Sequence, residues 1–321
     1  MVDPPRQYVI VRIDLVRREN QETLMFAPLF KYVNASTALT ILENKTLQWS
    51  APALFNDPFE FKSPFQYGFE WDELKEIVLQ RWATILTQVE EPNLFPGNPV
   101  ASVIPDRRLE CKGRNPAEVS SLLRPRVESF VRTQREESVF YEDFWDDLKQ
   151  TYRVLCLSGV HNHILMWSHY TNDHQGVALE FRPIIGSEIL AAQPVSYSDE
   201  VPVAANLNDF VKYLTGVGPK PIREDAWKKA VLTKSSVWVY ENEWRVISKR
   251  QIDEEGLRSF RRFEPEELVG IYFGCRISSE SRERIIAAIS NWKTPVSLFQ
   301  MRDERIRFEL TAEAVQVPPR E

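Results

Sequence analysis

The sequence predicts an α+β fold: a mixed, mainly antiparallel central sheet with flanking helices and a helical insertion. Strand-like apolar stretches lie on both sides of one long helical block instead of alternating with helices as a doubly wound sheet requires. Apolar residues make up 43% and charged residues 27% of the 321 residues, the ordinary globular mix, and nine Trp with eighteen Phe supply bulky core material. At this length one enlarged domain or two fit the usual range of about 100–200 residues each. The expected organisation is an N-terminal extension (1–28), a core from 29–65 and 150–312, a helical insertion (66–149) and a short tail (313–321).

Tyr8 to Leu15 alternates weakly and reads as a strand, and the polar stretch Arg17 to Thr23 as a loop. Phe30 to Tyr32 opens a clearer unit. Asn34 or Ser36 caps a helix running to Glu43, Asn44 is its left-handed stop, LQWSAP from Leu47 is a strand, and Asn56-Asp57-Pro58 is turn chemistry. From Trp71 to Tyr152, the segments WDELKEIVLQRWATIL, AEVSSLLRPRVESFVRTQ and YEDFWDDLKQTY all space their apolar residues as helices do. RVLCLS (Arg153 to Ser158) is apolar on both faces and reads as a central strand, whereas GVALEF (Gly176 to Phe181) alternates. Further strands are expected at PVSYS, VWVYENEWRVIS (Val237 to Ser248), LVGIYFG, VSLFQM and RIRFEL, with a helix at SSESRERIIAAISNW capped by Ser278 or Ser279.

A net charge of −6 argues against a surface built wholly for nucleic acid. Local balance differs: residues 107–135 hold eight Arg or Lys against three Glu, and residues 136–147 answer with six acidic groups. Two solvated helices attracting one another is one reading, and a phosphate-binding face for nucleic acid is the other. Cys111, Cys156 and Cys275 are odd in number and show no CxxC spacing, so a reducing compartment is expected. The N-terminus lacks a signal-peptide pattern and no apolar run approaches the roughly 20 residues that span a bilayer, so the expected location is cytoplasmic, away from membranes.

All four histidines lie in HNHILMWSHYTNDH, residues 161–174. Zinc would need at least three side chains around one ion, but His163 and His174 would stand roughly 16 Å apart along a helix and no pair has i, i+4 spacing. No metal is expected. On a helix from Ile164 to Thr171, Trp167 and Tyr170 fall on one stripe with His163 and His174, which reads as core or as the aromatic wall of a cleft between RVLCLS and GVALEF. His169 points elsewhere and is the imidazole best placed for acid–base work; His161, His163 and His174 are expected to satisfy backbone groups near the helix ends.

In VWVYENEWRV, strand alternation puts Glu241, Glu243 and Arg245 on one face, with the two carboxylates about 7 Å apart. Such a face is either an exposed ion-paired edge or a cleft carboxylate pair that stabilises a cationic, oxocarbenium-like transition state, with Arg245 orienting a carboxylate or holding a phosphate.

Taken together, LFKY, LQWSAPALFNDPFE, LCLSGVHNHILMWSHYTNDHQGVALEF, PVSYS, KSSVWVYENEWRV and LVGIYFG resemble the bacterial domain-of-unknown-function family 2971 over most of residues 29–312. More remotely, the order of parts resembles ADP-ribosyltransferases. That second resemblance implies a toxin-like or phage-defence effector that uses NAD and modifies nucleic acid or protein. Glu243 would meet the NAD ribose, Glu241 would face the acceptor, and Lys31 and Tyr32 would stand on the first strand, with Lys31 in place of the usual Arg or His. Ser158 or Tyr170 would supply the second element, and Asn56 and Asp57 would touch ribose or adenine. Two rival readings stay open: a nuclease-like hydrolase using His169, Glu241 and Glu243, and a non-catalytic module sensing a nucleotide in a Trp-rich cleft.

Overall fold

A computed structural model describes residues 27–64, 67–220 and 223–315. The strand and loop expected at Tyr8–Leu15 and Arg17–Thr23 lie outside the described residues. The first described strand is β1 (Leu29–Val33), followed by α1 (Ala35–Asn44) and β2 (Thr46–Ser50). Asn34 caps α1 by accepting a hydrogen bond from the Thr37 amide at 2.8 Å. The left-handed stop falls one residue later than expected: Lys45 has φ 53° and returns its amide to the Ile41 carbonyl, while Asn44 is the last helical residue.

The stretch expected to be a helical insertion contains helices where the periodicity requires them, α2 (Trp71–Thr87), α3 (Ile104–Cys111) and α4 (Pro116–Thr151). The expected pair of attracting helices is corrected here, because AEVSSLLRPRVESFVRTQ and YEDFWDDLKQTY are two halves of the single 36-residue α4. Pro125 sits inside it on the exposed side, where water can satisfy the carbonyl deprived of its helical donor. Val127 and Val131 of α4 pack on Leu74 and Val78 of α2. Into the same cluster reach Phe210 and Leu214 of α6 (Leu207–Leu214), a helix not anticipated from the sequence.

Next come β3 (Tyr152–Ser158), α5 (Ile164–Tyr170), β4 (Val177–Phe181), β5 (Gln193–Pro194) and β6 (Ser196–Ser198). After α6 follow α7 (Arg223–Leu232), β7 (Thr233–Ser235), β8 (Glu243–Lys249) and β9 (Arg258–Arg262). The chain ends in β10 (Leu268–Phe273), α8 (Ser279–Ile289), β11 (Ser297–Asp303) and β12 (Leu310–Ala314). Strand β12 starts at the last residue of RIRFEL, and α7 and β9 had no clear signal in the sequence.

The main sheet runs β12-β11-β10-β4-β1-β3. Its pairs are antiparallel except β10 with β11, where α8 supplies the crossover that parallel neighbours need. The fold is therefore α+β with a mainly antiparallel sheet. One face packs under α1 and α8 through Leu42, Leu179, Phe181, Phe273 and Ile285, and the other under α5 through Phe30, Tyr32, Met166 and Trp167. Coverage on both faces corrects the expected alternation of GVALEF, because every residue of β4 is buried.

Beyond β3 the sheet divides. One edge of β3 is paired with β8 along its whole length, from Tyr152↔Lys249 to Ser158↔Glu243. The other edge is shared, Ser158 facing Phe30 of β1 and Val154 facing Ser50 of β2. Between those contacts β1 and β2 diverge, and the Cys156 carbonyl accepts its hydrogen bond from Lys31 Nζ at 2.9 Å instead of from a strand.

Candidate functional site

A cavity of about 560 Å³ opens at this split, within the usual size of ligand pockets. Lys31, Asn34 and Thr37 line it from the β1–α1 junction, Cys156 and Ser158 from β3, Asn56 and Glu60 from the loop after β2, Tyr170 from α5, and Lys234, Glu241 and Glu243 from the β7–β8 segment.

The acidic wall is not built as strand alternation predicts. Ser236–Glu241 forms a 3₁₀ turn, Asn242 is left-handed at φ 41°, and the strand begins only at Glu243. Asn tolerates this conformation better than most residues, and the kink aims both glutamates at one ammonium. Lys234 Nζ lies 2.8 Å from Glu60 Oε1, 2.5 Å from Glu241 Oε2 and 3.1 Å from Glu243 Oε2. Arg245 forks onto Glu243, with Nε 2.8 Å from Oε1, and reaches Glu60 Oε2 at 2.9 Å. All five side chains are at most 7% exposed. Phe55 and Phe61 cover the guanidinium, their ring centroids 5.6 and 5.2 Å from its carbon.

Burial alone would raise the Glu243 carboxyl, but the Arg245 charge and hydrogen bonds, with Lys234, outweigh it and hold the group at about 2. For Glu60 burial prevails over the Arg245 and Lys234 charges, and its carboxyl is raised. Burial would lower Lys234; Glu243, Glu60 and Glu241 together override it and keep the ammonium charged. Lys31 shows the opposite balance, lowered by burial that the Glu243 charge only partly offsets. Tyr170 donates to Glu241 Oε1 at 2.5 Å, and burial together with that hydrogen bond raises its hydroxyl. The Glu241 backbone is fixed separately, its carbonyl accepting from Ser158 Oγ at 2.6 Å.

Among the expected site residues, the structure brings Glu241, Glu243, Tyr170, Lys31, Tyr32, Asn56 and Ser158 to the cavity wall. It places the others differently. Trp167 is fully buried in the core, 5.3 Å from the Tyr32 ring, and donates to the His161 carbonyl, so of the expected Trp167–Tyr170 pair only Tyr170 lines the cavity. Arg245 backs Glu243 without lining the cavity, and Asp57 is used by its own turn, accepting from the Phe59 amide and from Trp238 Nε1, each at 2.8 Å. His169 is exposed and its Nδ1 sits 3.0 Å from the Tyr240 hydroxyl at the rim.

Because α5 stops at Tyr170, His174 leaves the expected stripe, in a left-handed turn at φ 67°. His163 occupies the N-cap position without a side-chain cap, and the buried Nδ1 atoms of His163 and His174 have no hydrogen-bond partner; neither ring supplies the expected backbone bond. Sequence reasoning missed Glu60 and Lys234. Both stand inside blocks quoted above, NDPFE and KSSVWVYENEWRV, but nothing in linear spacing announces that they meet. Among the described residues no group of three or more His, Cys, Asp or Glu is placed to hold a metal ion.

The fold and cleft define an α+β protein with a charge-buffered acidic pocket at a divided sheet. Residues 166–246 match the model of a family described as protein of unknown function (DUF2971). That stretch contains Tyr170, Lys234, Glu241, Glu243 and Arg245, and leaves Lys31, Asn56 and Glu60 outside. No curated protein and no solved structure matches the chain. Among the described residues no helix is long and apolar enough to cross a membrane.

Proposed function

We propose that the cleft binds NAD and transfers its ADP-ribosyl group to an acceptor. The observation that carries this reading is the Tyr170–Glu241 hydrogen bond on the cavity wall beside the Lys234-held carboxylates. In this reaction the bond from ribose C1′ to nicotinamide breaks, its electron pair leaves with the ring, and the remaining sugar is positive. Glu241, oriented by Tyr170 and Lys234, stabilises that charge in place. The acceptor oxygen or nitrogen then bonds to C1′ and gives up its proton to a carboxylate or to water. Glu243 is a positioning residue, since a buried cation holds each of its oxygens, whereas Glu241 Oε1 is held only by the neutral, 38%-exposed Tyr170 hydroxyl that a substrate can displace. Asn34 and Thr37, at the first turn of α1, also line the cavity, a favourable place for the substrate phosphates.

The purified protein incubated with NAD is expected to release nicotinamide, and Glu241→Gln to lower that release by about 10²-fold. Undetectable release with every acceptor class, nucleic acid, protein and water, overturns the reading. The full commitment of the Glu243 oxygens favours one alternative, a module that senses a nucleotide without turning it over. That alternative predicts NAD binding by calorimetry, no nicotinamide, and altered affinity alone in Glu243→Gln.

A further inference from the structure

We propose that the outward side of α4 is a homodimer interface, on which α4 of a second copy lies antiparallel. The helix is about 54 Å long at 1.5 Å per residue. Its inner side, with Val127, Val131 and Trp145, is buried against α2 and the core. On the opposite side the helical period lines up Leu122, Phe140 and Phe144, which remain 61%, 64% and 49% exposed.

Apart from Glu118 at the helix start, charge on that side is segregated. Arg126 and Arg132 stand in the N-terminal half, Glu136 and Asp143 in the C-terminal half, and all four are exposed. Arg126 and Asp143 stand about 25 Å apart along one continuous helix and cannot meet within the chain, while Arg132 and Glu136, four residues apart, are neighbours on the helix yet make no ion pair among the described residues. The ion pairs that α4 makes among the described residues, Arg124 with Glu76 of α2 and Lys149 with Asp146, leave these four charges unpaired. Glu142 reports the local excess: burial first, and then the charges of Asp143 and Asp146, raise its carboxyl.

An antiparallel second copy resolves both features at once. With the two-fold axis near Thr133 and Gln134, Arg126 meets Asp143 of the second copy and Arg132 meets its Glu136, while Leu122 lies beside its Phe144. Two-fold symmetry repeats each contact, so one segregated helix is complementary to itself. A parallel arrangement would set like charge against like. The occupant is therefore this same chain, not an unrelated basic or acidic partner.

Sedimentation of the full chain tests this. The expected species at low ionic strength has twice the mass of the 37.5 kDa chain, and weakens as salt screens the contacts. Reversing one half with Arg126→Glu and Arg132→Glu is expected to give a monomer with unchanged helicity by circular dichroism. Adding Glu136→Arg and Asp143→Arg to those changes restores the dimer, a rescue that a merely structural role for the charges does not predict. Thr133→Cys is expected to form a disulfide between copies under mild oxidation. A monomer at all salt concentrations, or a dimer indifferent to the reversals, overturns the proposal; nicotinamide release is assayed separately and bears on the cleft alone.

Discussion

Two regions of the molecule use the same residue types to opposite ends. At the cleft, Glu60, Lys234, Glu241, Glu243 and Arg245 are buried and every charge has an opposite partner within 3.1 Å. Along the outer face of α4, Arg126, Arg132, Glu136 and Asp143 are exposed to water and make no ion pair among the described residues. The comparison teaches that burial, not charge count, fixes what an ion pair does. In the cleft the carboxylates are locked in position by buried cations, and a missing partner is expensive. On α4 water already satisfies each group, so the same charges contribute little to folding and are available for recognition.

The sharpest way to break the contrast is Arg245→Met, which strips Glu243 and Glu60 of a buried cation while nearly keeping side-chain volume. We expect a loss of about 3–5 kcal/mol in urea unfolding. Arg245→Met combined with Glu243→Leu is expected to cost less than Arg245→Met alone, because the uncompensated charge goes with it. A single-variant loss below about 1 kcal/mol would mean that the cluster is wetter than its geometry implies.

Acid sharpens the same point. Glu243 titrates at about 2 in the fold against an ordinary 4.5, so the stability it contributes is complete above about pH 5 and lost as pH falls toward 2. The size is roughly 3 kcal/mol at most. Glu60 works the other way: its carboxyl is raised, so protonation favours the folded form and offsets part of the loss. Urea midpoints between pH 6 and 3 are expected to drop steeply for the wild type and more gently for Glu243→Gln. Equal slopes would remove Glu243 as the cause.

How much of this was legible follows from the same contrast. The helices of the insertion, β1, α1, β3 and β10 show through, because periodicity and capping are local. That Glu241 and Glu243 share a surface also shows through, though for the wrong reason: alternation in a continuous strand was expected, and a 3₁₀ turn with left-handed Asn242 does the aiming. Glu60 and Lys234 were invisible as partners because their meeting depends on where the loop after β2 crosses β7 and β8, which no spacing encodes. Trp167 misled in the opposite sense, since a Trp at helical spacing looks alike whether it lines a cleft or fills a core. The continuity of α4 was hidden by Pro125 and by the switch of charge sign in its middle, both of which suggest a break in linear sequence but are tolerated on a solvated helix side.

A smaller effect is expected at the cleft's mouth. Tyr170→Phe removes the donor to Glu241 while leaving Lys234 in place, and Tyr170 is 38% exposed, so water can replace part of the bond. A stability loss of about 1 kcal/mol is expected. If Glu241 acts as proposed, nicotinamide release falls by more than this loss of stability explains, through kcat and not KM. An equal fall in stability and activity would make Tyr170 structural only.

The smallest effect is expected where geometry looks best. Arg124 forks onto Glu76 with contacts of 2.7 and 3.1 Å, as close as several in the cleft. Both side chains are nearly half exposed, 44% and 47%, so each charge keeps most of its hydration when the partner is removed. Fixing two long side chains in one orientation also opposes what attraction remains. Arg124→Ala is therefore expected to leave the thermal midpoint within measurement error, and raising salt to 1 M, where the screening length is about 3 Å, to erase any residual difference from the wild type. A clear drop for Arg124→Ala that survives high salt would show that the α2–α4 seam depends on this pair as the cleft depends on Arg245, and the division between buried and solvated charge would then fail at the surface.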